Sequence, residues 1–194
     1  MSSELKLILL GAMNVGKTCL LNVCFLKQQF NRVSNTVGVA FRPHRISRPP
    51  IADFNMSIWD TAGAEAYQSL SSLYMRSSDL SLVCFDPTDT SSFDAAKRWI
   101  KELQELQPDC QIFLVATKID LVSSSWEVPE SHIYSWMKDA NIHHFFQTSS
   151  KTGEGITQLY NVVEDTAVQL YQKKQPSTDV DISSSPRYLA NCSC

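Results

Sequence analysis

Residues 11–18 read GAMNVGKT and follow a short apolar run. They match the pattern G-x-x-x-x-G-K-[ST], in which a glycine-rich turn between a strand and a helix holds phosphate groups. The glycines let backbone N–H groups converge on the phosphates, and the helix N-terminus adds a favourable dipole. The motif predicts that Lys17 contacts the β- and γ-phosphates of a nucleotide and that the Thr18 hydroxyl coordinates Mg²⁺.

Two other polar segments, TKID at 117–120 and TSSK at 148–151, also follow apolar runs. Ligands of open α/β sheets bind at the carboxyl ends of the strands, where both segments should lie. Asp120 can accept hydrogen bonds from the N1–H and the 2-amino group of guanine, whereas adenine has no such pair of donors. The backbone N–H of Ser150 can bind the guanine carbonyl. The two segments therefore predict selectivity for guanine, because the wrong base would leave a buried carboxylate unsatisfied.

The segment WDTAGAEAY, residues 59–67, ends a further apolar run and brings Asp60, Thr61 and Gly63 together. Such residues suit a loop beside a metal-bound phosphate. Ala64, however, stands where hydrolysis chemistry would require a polar side chain. The motifs favour a nucleotide-hydrolysing protein over a kinase with a P-loop, because the sequence shows no acceptor site or lid.

Apolar runs alternate with helix-like segments along the chain, which implies a mostly parallel α/β sheet. Strands are predicted at 5–10, 38–48, 53–59, 80–85, 111–117 and 143–149. Helices are predicted at 17–28, from an N-cap at Ser92, and at 155–172. We expect residues 1–174 to form one domain and the polar residues 175–194 to form a flexible tail.

The composition is that of a globular protein, with 43% hydrophobic and 19% charged residues among 194. The net charge of −3 argues against nucleic acid as a partner. Apolar runs long enough to cross a bilayer are absent from the sequence, and a cytosolic-side protein is expected. Reduced buried thiols are predicted at Cys19, Cys24, Cys84 and Cys110, and structural roles at His143 and His144.

These motifs together resemble the Ras superfamily of small GTPases, and about residues 5–172 are similar to the Rab family. GAMNVGKT, the threonine of NTVGVAF, DTAG, TKID and TSSK appear in family order. The Rab resemblance rests on VGVAF, MSIWDTAG, LYMRSSDL and the terminal Cys-x-Cys. It implies a P-loop NTPase G domain with a six-stranded, mostly parallel sheet and about five helices, which binds GTP or GDP with Mg²⁺.

The resemblance also implies roles for individual residues. Thr36 would bind Mg²⁺ and the γ-phosphate, Asp60 would hold Mg²⁺ through a water molecule, and the Gly63 amide would contact the γ-phosphate. Metal ligands would be Thr18, Thr36 and Asp60, and catalysis would involve Lys17, Thr36 and Gly63. The implied nucleotide contacts are Gly11, Met13, Asn14, Val15, Gly16, Lys17, Thr18, Cys19, Phe30, Thr36, Gly63, Thr117, Lys118, Asp120, Ser149, Ser150 and Lys151. Thr117 replaces the asparagine more usual in Rabs, and guanine selectivity should persist.

Two departures from the family concern hydrolysis. Ala64 occupies the position of a glutamine that orients the attacking water, and Met13 occupies a P-loop position that usually holds a small residue. Met13 would crowd the γ-phosphate and any arginine finger, which is worth about 10³–10⁵ in rate. Slow hydrolysis is therefore expected. The chain is interpreted as a switch in vesicle trafficking or, alternatively, as a predominantly GTP-bound scaffold that recruits effectors.

The terminal Cys192 and Cys194 resemble the geranylgeranylated ending of Rab proteins, since two lipid chains give stable anchoring. This implies a lipid-anchored protein on the cytoplasmic face of an intracellular membrane, with a cytosolic pool. Implied partners are an exchange factor, a GTPase-activating protein, a Rab escort protein or GDP-dissociation inhibitor, and effectors. Effectors would be recognised through Phe41, Trp59 and Tyr74. For the nearby Arg42, Arg45 and Arg48, a solvated turn is favoured over a basic patch.

Overall fold

A computed structural model describes residues 4–31, 33, 36, 38–63, 73–121 and 126–175. Six strands form one sheet in the order β2-β3-β1-β4-β5-β6. All neighbouring strands run parallel except β2 and β3, which form an antiparallel pair. The strands are β1 (Leu5–Leu10), β2 (Val39–Ile46), β3 (Phe54–Thr61), β4 (Leu80–Phe85), β5 (Gln111–Ala116) and β6 (His144–Gln147).

Four α-helices and one short 3₁₀ helix lie wholly within the described residues, and residues 73–75 are also helical. The complete helices are α1 (Lys17–Cys24), α2 (Thr90–Leu106), the 3₁₀ helix (Ile119–Leu121), α3 (Glu130–Asp139) and α4 (Ile156–Lys174). Each parallel crossover carries a helix to one face of the sheet or the other, as expected for this class of fold. The predicted α/β architecture is confirmed.

Both faces of the sheet are covered, which explains why its central strands are apolar throughout. Leu5, Leu7 and Leu9 of β1 pack in a core with α1 and α4. Ile8 and Leu10 point to the opposite face and pack with α2 and α3. The period-two alternation of one strand thus supplies both cores.

The antiparallel strand β2 lies at one edge of the sheet, and this position accommodates its proline. Pro43 pairs opposite Ser57 of β3 and is itself exposed. Proline lacks an N–H donor and is tolerated at a sheet edge but not in its middle. The edge position also leaves Phe41 exposed to solvent.

Two predicted helix boundaries are wrong. α2 begins earlier than expected, because the carboxylate of Asp89, not the hydroxyl of Ser92, caps its N-terminus by accepting from the Ser91 N–H at 3.0 Å. Ser92 is buried within the first turn. α1 ends at Cys24 rather than near residue 28, since Lys27 adopts a left-handed conformation and its ammonium donates to the Cys24 carbonyl at 2.8 Å.

The arginines of the β2–β3 hairpin do not form a shared basic patch. Arg45 pairs with Asp53 on the surface, with Nη2 2.5 Å from Oδ2. Arg48 instead donates to Glu164 of α4 at 2.9 Å, so the two guanidinium groups belong to different ion pairs. Arg48 therefore remains partly exposed on the turn, and its ion pair also ties the hairpin to the last helix.

Glu164 is a buried carboxylate that joins three elements. It accepts a hydrogen bond from Tyr160 and two from Arg48, and the Nε2 atom of His44 lies 3.1 Å from its Oε1 atom. Burial raises the pKa of Glu164, but the hydrogen bonds from Tyr160, His44 and Arg48 outweigh this effect and hold it below the ordinary value. The charged form is therefore favoured in the folded protein.

We expect Glu164→Gln to lower the free energy of unfolding by about 1–3 kcal/mol, because an amide would place donors against the donors of Arg48 and Tyr160. The folded pKa lies below the ordinary 4.5, so the wild-type advantage is full above pH 4.5 and is lost as the pH falls through the folded value. Urea unfolding at several pH values measures this. The matched control Arg45→Ala removes an exposed ion pair and should change stability little. Equal effects of both substitutions would contradict the role of burial.

Candidate functional site

A cavity of about 590 Å³ opens at the carboxyl edge of the sheet. Parallel strands deliver their following loops to this edge, so segments far apart in sequence meet there. The lining residues are Met13, Asn14, Gly16, Lys17, Thr18, Cys19, Phe30, Val33, Thr36, Thr61, Gly63, Thr117, Lys118, Asp120, Leu121, Ser150 and Lys151. One cavity therefore joins the predicted phosphate and base segments.

The glycine-rich turn between β1 and α1 is held against β4. A Cβ atom on Gly11 would lie 2.2 Å from the Cys84 carbonyl oxygen, and the residue has a φ of 140°. Both the contact and the backbone conformation therefore require glycine. This close approach fixes the turn at one end of the cavity.

Lys17 is a buried ammonium at this end of the cavity. Its Nζ donates to the carbonyl oxygens of Gly11 at 2.9 Å and Ala12 at 2.8 Å. Burial lowers the pKa of Lys17, and the nearby Cys84 and Asp60 oppose this effect. An ammonium has three donors, so Lys17 has a further donor suited to a phosphate oxygen.

The N-terminus of α1 also faces the cavity. Gly16 stands at the N-cap position and offers no side-chain hydrogen bond, while Lys17, Thr18 and Cys19 of the first turn line the cavity. The first N–H groups of a helix have no partners within the helix and attract anions. Helix, glycine-rich turn and ammonium thus converge as an anion site.

Three oxygen-bearing side chains meet beside Lys17. The Thr18 hydroxyl donates to Asp60 Oδ2 at 2.7 Å and lies 2.8 Å from the Thr36 hydroxyl, whose distance to the same carboxylate oxygen is 3.4 Å. The other oxygen, Asp60 Oδ1, is buried without a hydrogen-bond partner in the part of the chain that the structure describes. Burial raises the pKa of Asp60 against the opposing effect of Thr18 and Lys17.

This arrangement fits a magnesium ion. Mg²⁺ prefers oxygen ligands, and a bound cation would satisfy the orphaned Asp60 oxygen and favour the ionised carboxylate. Thr18, Thr36 and Asp60 are the residues that would hold it, directly or through water. The donor set therefore agrees with the sequence-based hypothesis for these three side chains.

Gly63 brings the loop after β3 into direct contact with the glycine-rich turn. A Cβ atom at this position would lie 2.3 Å from the Ala12 carbonyl oxygen and 2.4 Å from the Met13 backbone nitrogen. Any larger residue would push the two segments apart. Gly63 can therefore place its own backbone at the phosphate end of the cavity.

The opposite end of the cavity is built by the loops after β5 and β6. The Ser149 hydroxyl donates to Asp120 Oδ1 at 2.5 Å, and Lys151 Nζ lies 3.8 Å from Oδ2. Ser149 also accepts hydrogen bonds from the Lys151 and Thr152 N–H groups. Asp120 is thus oriented by a loop that is itself organised around one buried serine.

Thr117 connects the two ends. Its hydroxyl donates to the Val15 carbonyl of the glycine-rich turn and lies 2.9 Å from the Phe85 carbonyl, which also accepts from the Thr117 N–H. A hydroxyl group has one hydrogen to donate, and the Phe85 carbonyl already accepts a hydrogen bond from the Thr117 N–H. The side chain of Thr117 therefore acts chiefly on the turn that holds the phosphate end.

Most of the predicted nucleotide contacts line the cavity, and the others lie behind it. Gly11, Val15 and Ser149 support lining residues rather than line the cavity themselves. Val33 and Leu121 line it although sequence reasoning did not include them, and Thr61, which was placed beside the phosphate but not among the nucleotide contacts, also lines it. Leu121 could have been identified from the sequence, because it directly follows Asp120. Ala64, Cys192 and Cys194 lie outside the described residues.

An aromatic surface lies beside the cavity loops. The Phe41 and Trp59 rings are 5.6 Å apart in an edge-on arrangement, and those of Trp59 and Tyr74 are 5.9 Å apart. Phe41 is 47% exposed. Strand register places Phe41 directly opposite Trp59, which explains why residues distant in sequence form one surface.

Three cysteines and His144 have structural environments, whereas His143 lies before β6 and is exposed, so its predicted place on the strand is wrong. Cys24, Cys84 and Cys110 are buried free thiols, and burial raises the pKa of each to about 12. Cys19 differs from the predicted buried thiol, because it is partly exposed on the cavity wall. His144 stacks on Phe113 with ring centroids 4.8 Å apart.

Within the described ranges, none of the helices has the length and hydrophobicity needed to cross a bilayer. The longest, α4, has 19 residues and is amphipathic, with Ile156, Leu159 and Val163 buried against the sheet. Its apolar face therefore belongs to the core.

Comparison with known proteins assigns the family. A sequence model of the Ras family matches residues 6–169. This chain belongs to the Ras family. It is 34% identical over 164 residues to Ras-related protein Rab-24 of Dictyostelium discoideum, covering 84% of this chain and 80% of that protein. It is 36% identical over 160 residues to GTP-binding protein ypt5 of Schizosaccharomyces pombe, covering 81% and 75% respectively.

A probable Rab-related GTPase of Acanthamoeba polyphaga mimivirus is 33% identical over 145 residues, which are 74% of this chain and 67% of that protein. The relatives include proteins named for Rab. The prediction of a Rab-like small GTPase is therefore confirmed at the level of the family.

We expect Thr117→Val to weaken the link between the two ends of the cavity, because the Val15 carbonyl loses its hydroxyl donor at a cost of about 1–3 kcal/mol. Nucleotide retention should fall along with stability. The matched control is Thr148→Val, which removes another buried hydroxyl, 3.2 Å from the Ala116 carbonyl, without touching the turn. Dissociation of a fluorescent GDP analogue and urea unfolding measure the two effects. Similar dissociation rates for both variants would contradict the linking role.

Proposed function

We propose that the protein binds GTP and GDP with Mg²⁺ in the cavity and acts as a Rab-like switch in vesicle trafficking. The observation that carries this proposal is that Lys17 and Asp120 line the same cavity, one at an anion site and the other where a base would lie. A protein with only the first could bind any nucleoside triphosphate. The second supplies the preference for guanine.

In this proposal each end of the cavity has a separate task. Lys17, Gly63 and the N-terminus of α1 bind the phosphates, and Asp120 and the Ser150 N–H read the base while Phe30 stacks on it. Bound Mg²⁺ would neutralise charge on the phosphate oxygens. Thr36 and Gly63 contact the γ-phosphate only in the triphosphate state, so their loops change order when it leaves.

We expect Asp120→Asn to change the base preference from guanine to xanthine. The amide keeps one acceptor but presents a donor to the 2-amino group of guanine, so the loss of a charge-assisted hydrogen bond should weaken GDP binding roughly 10- to 100-fold. Xanthine carries an oxygen at that position and should bind the variant better than the wild type.

Competition between GDP, ADP and xanthosine diphosphate for the magnesium-supplied protein measures the selectivity. Wild-type protein that does not distinguish GDP from ADP would overturn the proposed function. Asp53→Asn, on the exposed hairpin, is the control because it removes a carboxylate far from the base site.

Hydrolysis is proposed to be slow. Ala64 has no hydrogen-bonding side-chain atom with which to orient water, and Met13 is 53% exposed on the wall of the cavity at the phosphate end. In phosphoryl transfer the protein contributes mainly positioning and electrostatic stabilisation. These two side chains therefore favour the second candidate function, a predominantly GTP-bound scaffold, over a rapidly cycling switch.

We expect Ala64→Gln to raise the single-turnover rate of GTP hydrolysis about 10- to 100-fold, because correct placement of a reacting group has effects of this order. Ala64→Met has a similar length without a polar head and is the matched control, for which no gain is expected. Equal rates for the wild type and Ala64→Gln would remove the positioning argument. Rapid hydrolysis by the wild-type protein would exclude the scaffold.

The aromatic surface of Phe41, Trp59 and Tyr74 is proposed to present the nucleotide state to effector proteins. Phe41 of the edge strand β2 is exposed, and the half-buried Trp59 and Tyr74 lie beside it. Aromatic side chains commonly anchor partners at interfaces. An exchange factor and a GTPase-activating protein would act on the same loops, and a Rab escort protein or GDP-dissociation inhibitor would handle the lipidated form.

Membrane attachment is proposed through geranylgeranyl groups on Cys192 and Cys194. One lipid chain gives reversible binding, whereas two give stable anchoring, and this would place the protein on the cytoplasmic face of an intracellular membrane with a cytosolic pool. Residues 175–194 would serve as the tether between the lipids and the domain at 1–174.

A further inference from the structure

An ion pair joins the end of β4 to the guanine-reading loop. Lys118 Nζ lies 2.9 Å from Asp86 Oδ2, with side-chain exposures of 34% and 10% respectively. Lys118 lines the cavity, whereas Asp86 does not. The carboxylate therefore lies behind the wall of the cavity and holds one of its lining side chains.

Asp86 is itself held by contacts that do not involve the lysine. Its Oδ1 atom accepts from the Thr88 N–H at 3.0 Å and from the Thr88 hydroxyl at 2.7 Å, and its backbone N–H donates to Ser92 Oγ at 2.9 Å. Burial raises the pKa of Asp86, but the hydrogen bonds from Thr88 and Lys118 outweigh it and keep the pKa below the ordinary value. The result is a fixed anion at the end of β4.

The end of the lysine stem faces the glycine-rich turn. A Cβ atom on Gly16 would lie 3.8 Å from Lys118 Cε, so the Cε atom is next to the space that a side chain at Gly16 would occupy. Lys118 also has a left-handed backbone, with a φ of 56°. A flexible four-carbon side chain adopts one path only when both ends are held, and Asp86 holds the far end.

We infer that Asp86 is a positioning residue for nucleotide retention. By holding the Lys118 ammonium, it keeps the end of the alkyl stem beside Gly16, where the stem forms a preformed apolar surface between the phosphate and base sites. The nucleotide then binds against a wall that is already ordered, so the free energy of binding does not include the entropic cost of ordering the lysine side chain. This inference rests on the proposed guanine-nucleotide function.

Asp86→Asn tests the inference, because asparagine retains an acceptor for Thr88 but removes the charge that holds Lys118. The dissociation rate of a fluorescent GDP analogue should rise about 5- to 10-fold, with a nearly unchanged association rate. Thr88→Val is the matched control: it removes a hydrogen bond to the same carboxylate but leaves the ion pair, and its dissociation rate should change less than about twofold. Asp86→Glu keeps the negative charge, so its dissociation rate should be closer to that of the wild type than to that of Asp86→Asn.

A double-mutant comparison separates positioning from a general structural effect. In a Lys118→Met background, Asp86→Asn should add less than about a twofold increase in dissociation, since the side chain through which it acts is gone. An equal increase in both backgrounds, or no increase in the wild-type background, would overturn the inference. If wild-type protein fails to retain GDP in preference to ADP, the proposed function itself fails; normal wild-type retention with an unaffected Asp86→Asn variant rejects the inference alone.

Should Asp86→Asn not fold, Asp86→Glu and Lys118→Met can be compared instead. Asp86→Glu displaces the carboxylate by one methylene, so dissociation from it should lie between the wild-type and Lys118→Met rates. A rate for Asp86→Glu above that of Lys118→Met would show that residue 86 acts otherwise than through Lys118 and would overturn the inference.

Discussion

The convergence of backbone segments at the carboxyl edge of the sheet is the constraint on which the rest of the site depends. Gly11 lies against the Cys84 carbonyl, and Gly63 lies against Ala12 and Met13, so three segments touch with no side chain between them. Thr117 then ties the same turn to the base-reading loop. The backbone contact at Gly11 and the hydroxyl of Thr117 therefore hold the glycine-rich turn against β4 and the base-reading loop.

Much of the fold could be predicted from the sequence because its strands are short, apolar and followed by recognisable turns. The phosphate end was also predictable, since the positions of Gly16, Lys17 and Thr18 follow from local geometry alone. The β2–β3 pairing was harder to see, because Pro43 and the exposed residues of an edge strand weaken the usual alternation. α3 was missed, although Ile133 and Met137 form a short apolar stripe after Pro129.

The parts of the site that escaped prediction depend on contacts between distant residues. The ion pair between Lys118 and Asp86 joins residues that are 32 positions apart, and no local sequence pattern indicates that they meet. Ser92 looked like a helix cap because it precedes an apolar stripe, yet its hydroxyl serves the Asp86 backbone and Asp89 provides the cap. Arg48 and Glu164 are likewise paired by the packing of a hairpin on the last helix, not by sequence spacing.

The site separates the groups that would bind a nucleotide from those that would hydrolyse it. The side chains proposed to bind the nucleotide, Lys17 and Asp120, are held by hydrogen bonds within the described structure. The departures from the family, Met13 and Ala64, replace side chains that act on the outer phosphate and its attacking water. Under the proposed function, the chemistry of hydrolysis would be weakened while the hydrogen bonds that hold Lys17 and Asp120 remain in place.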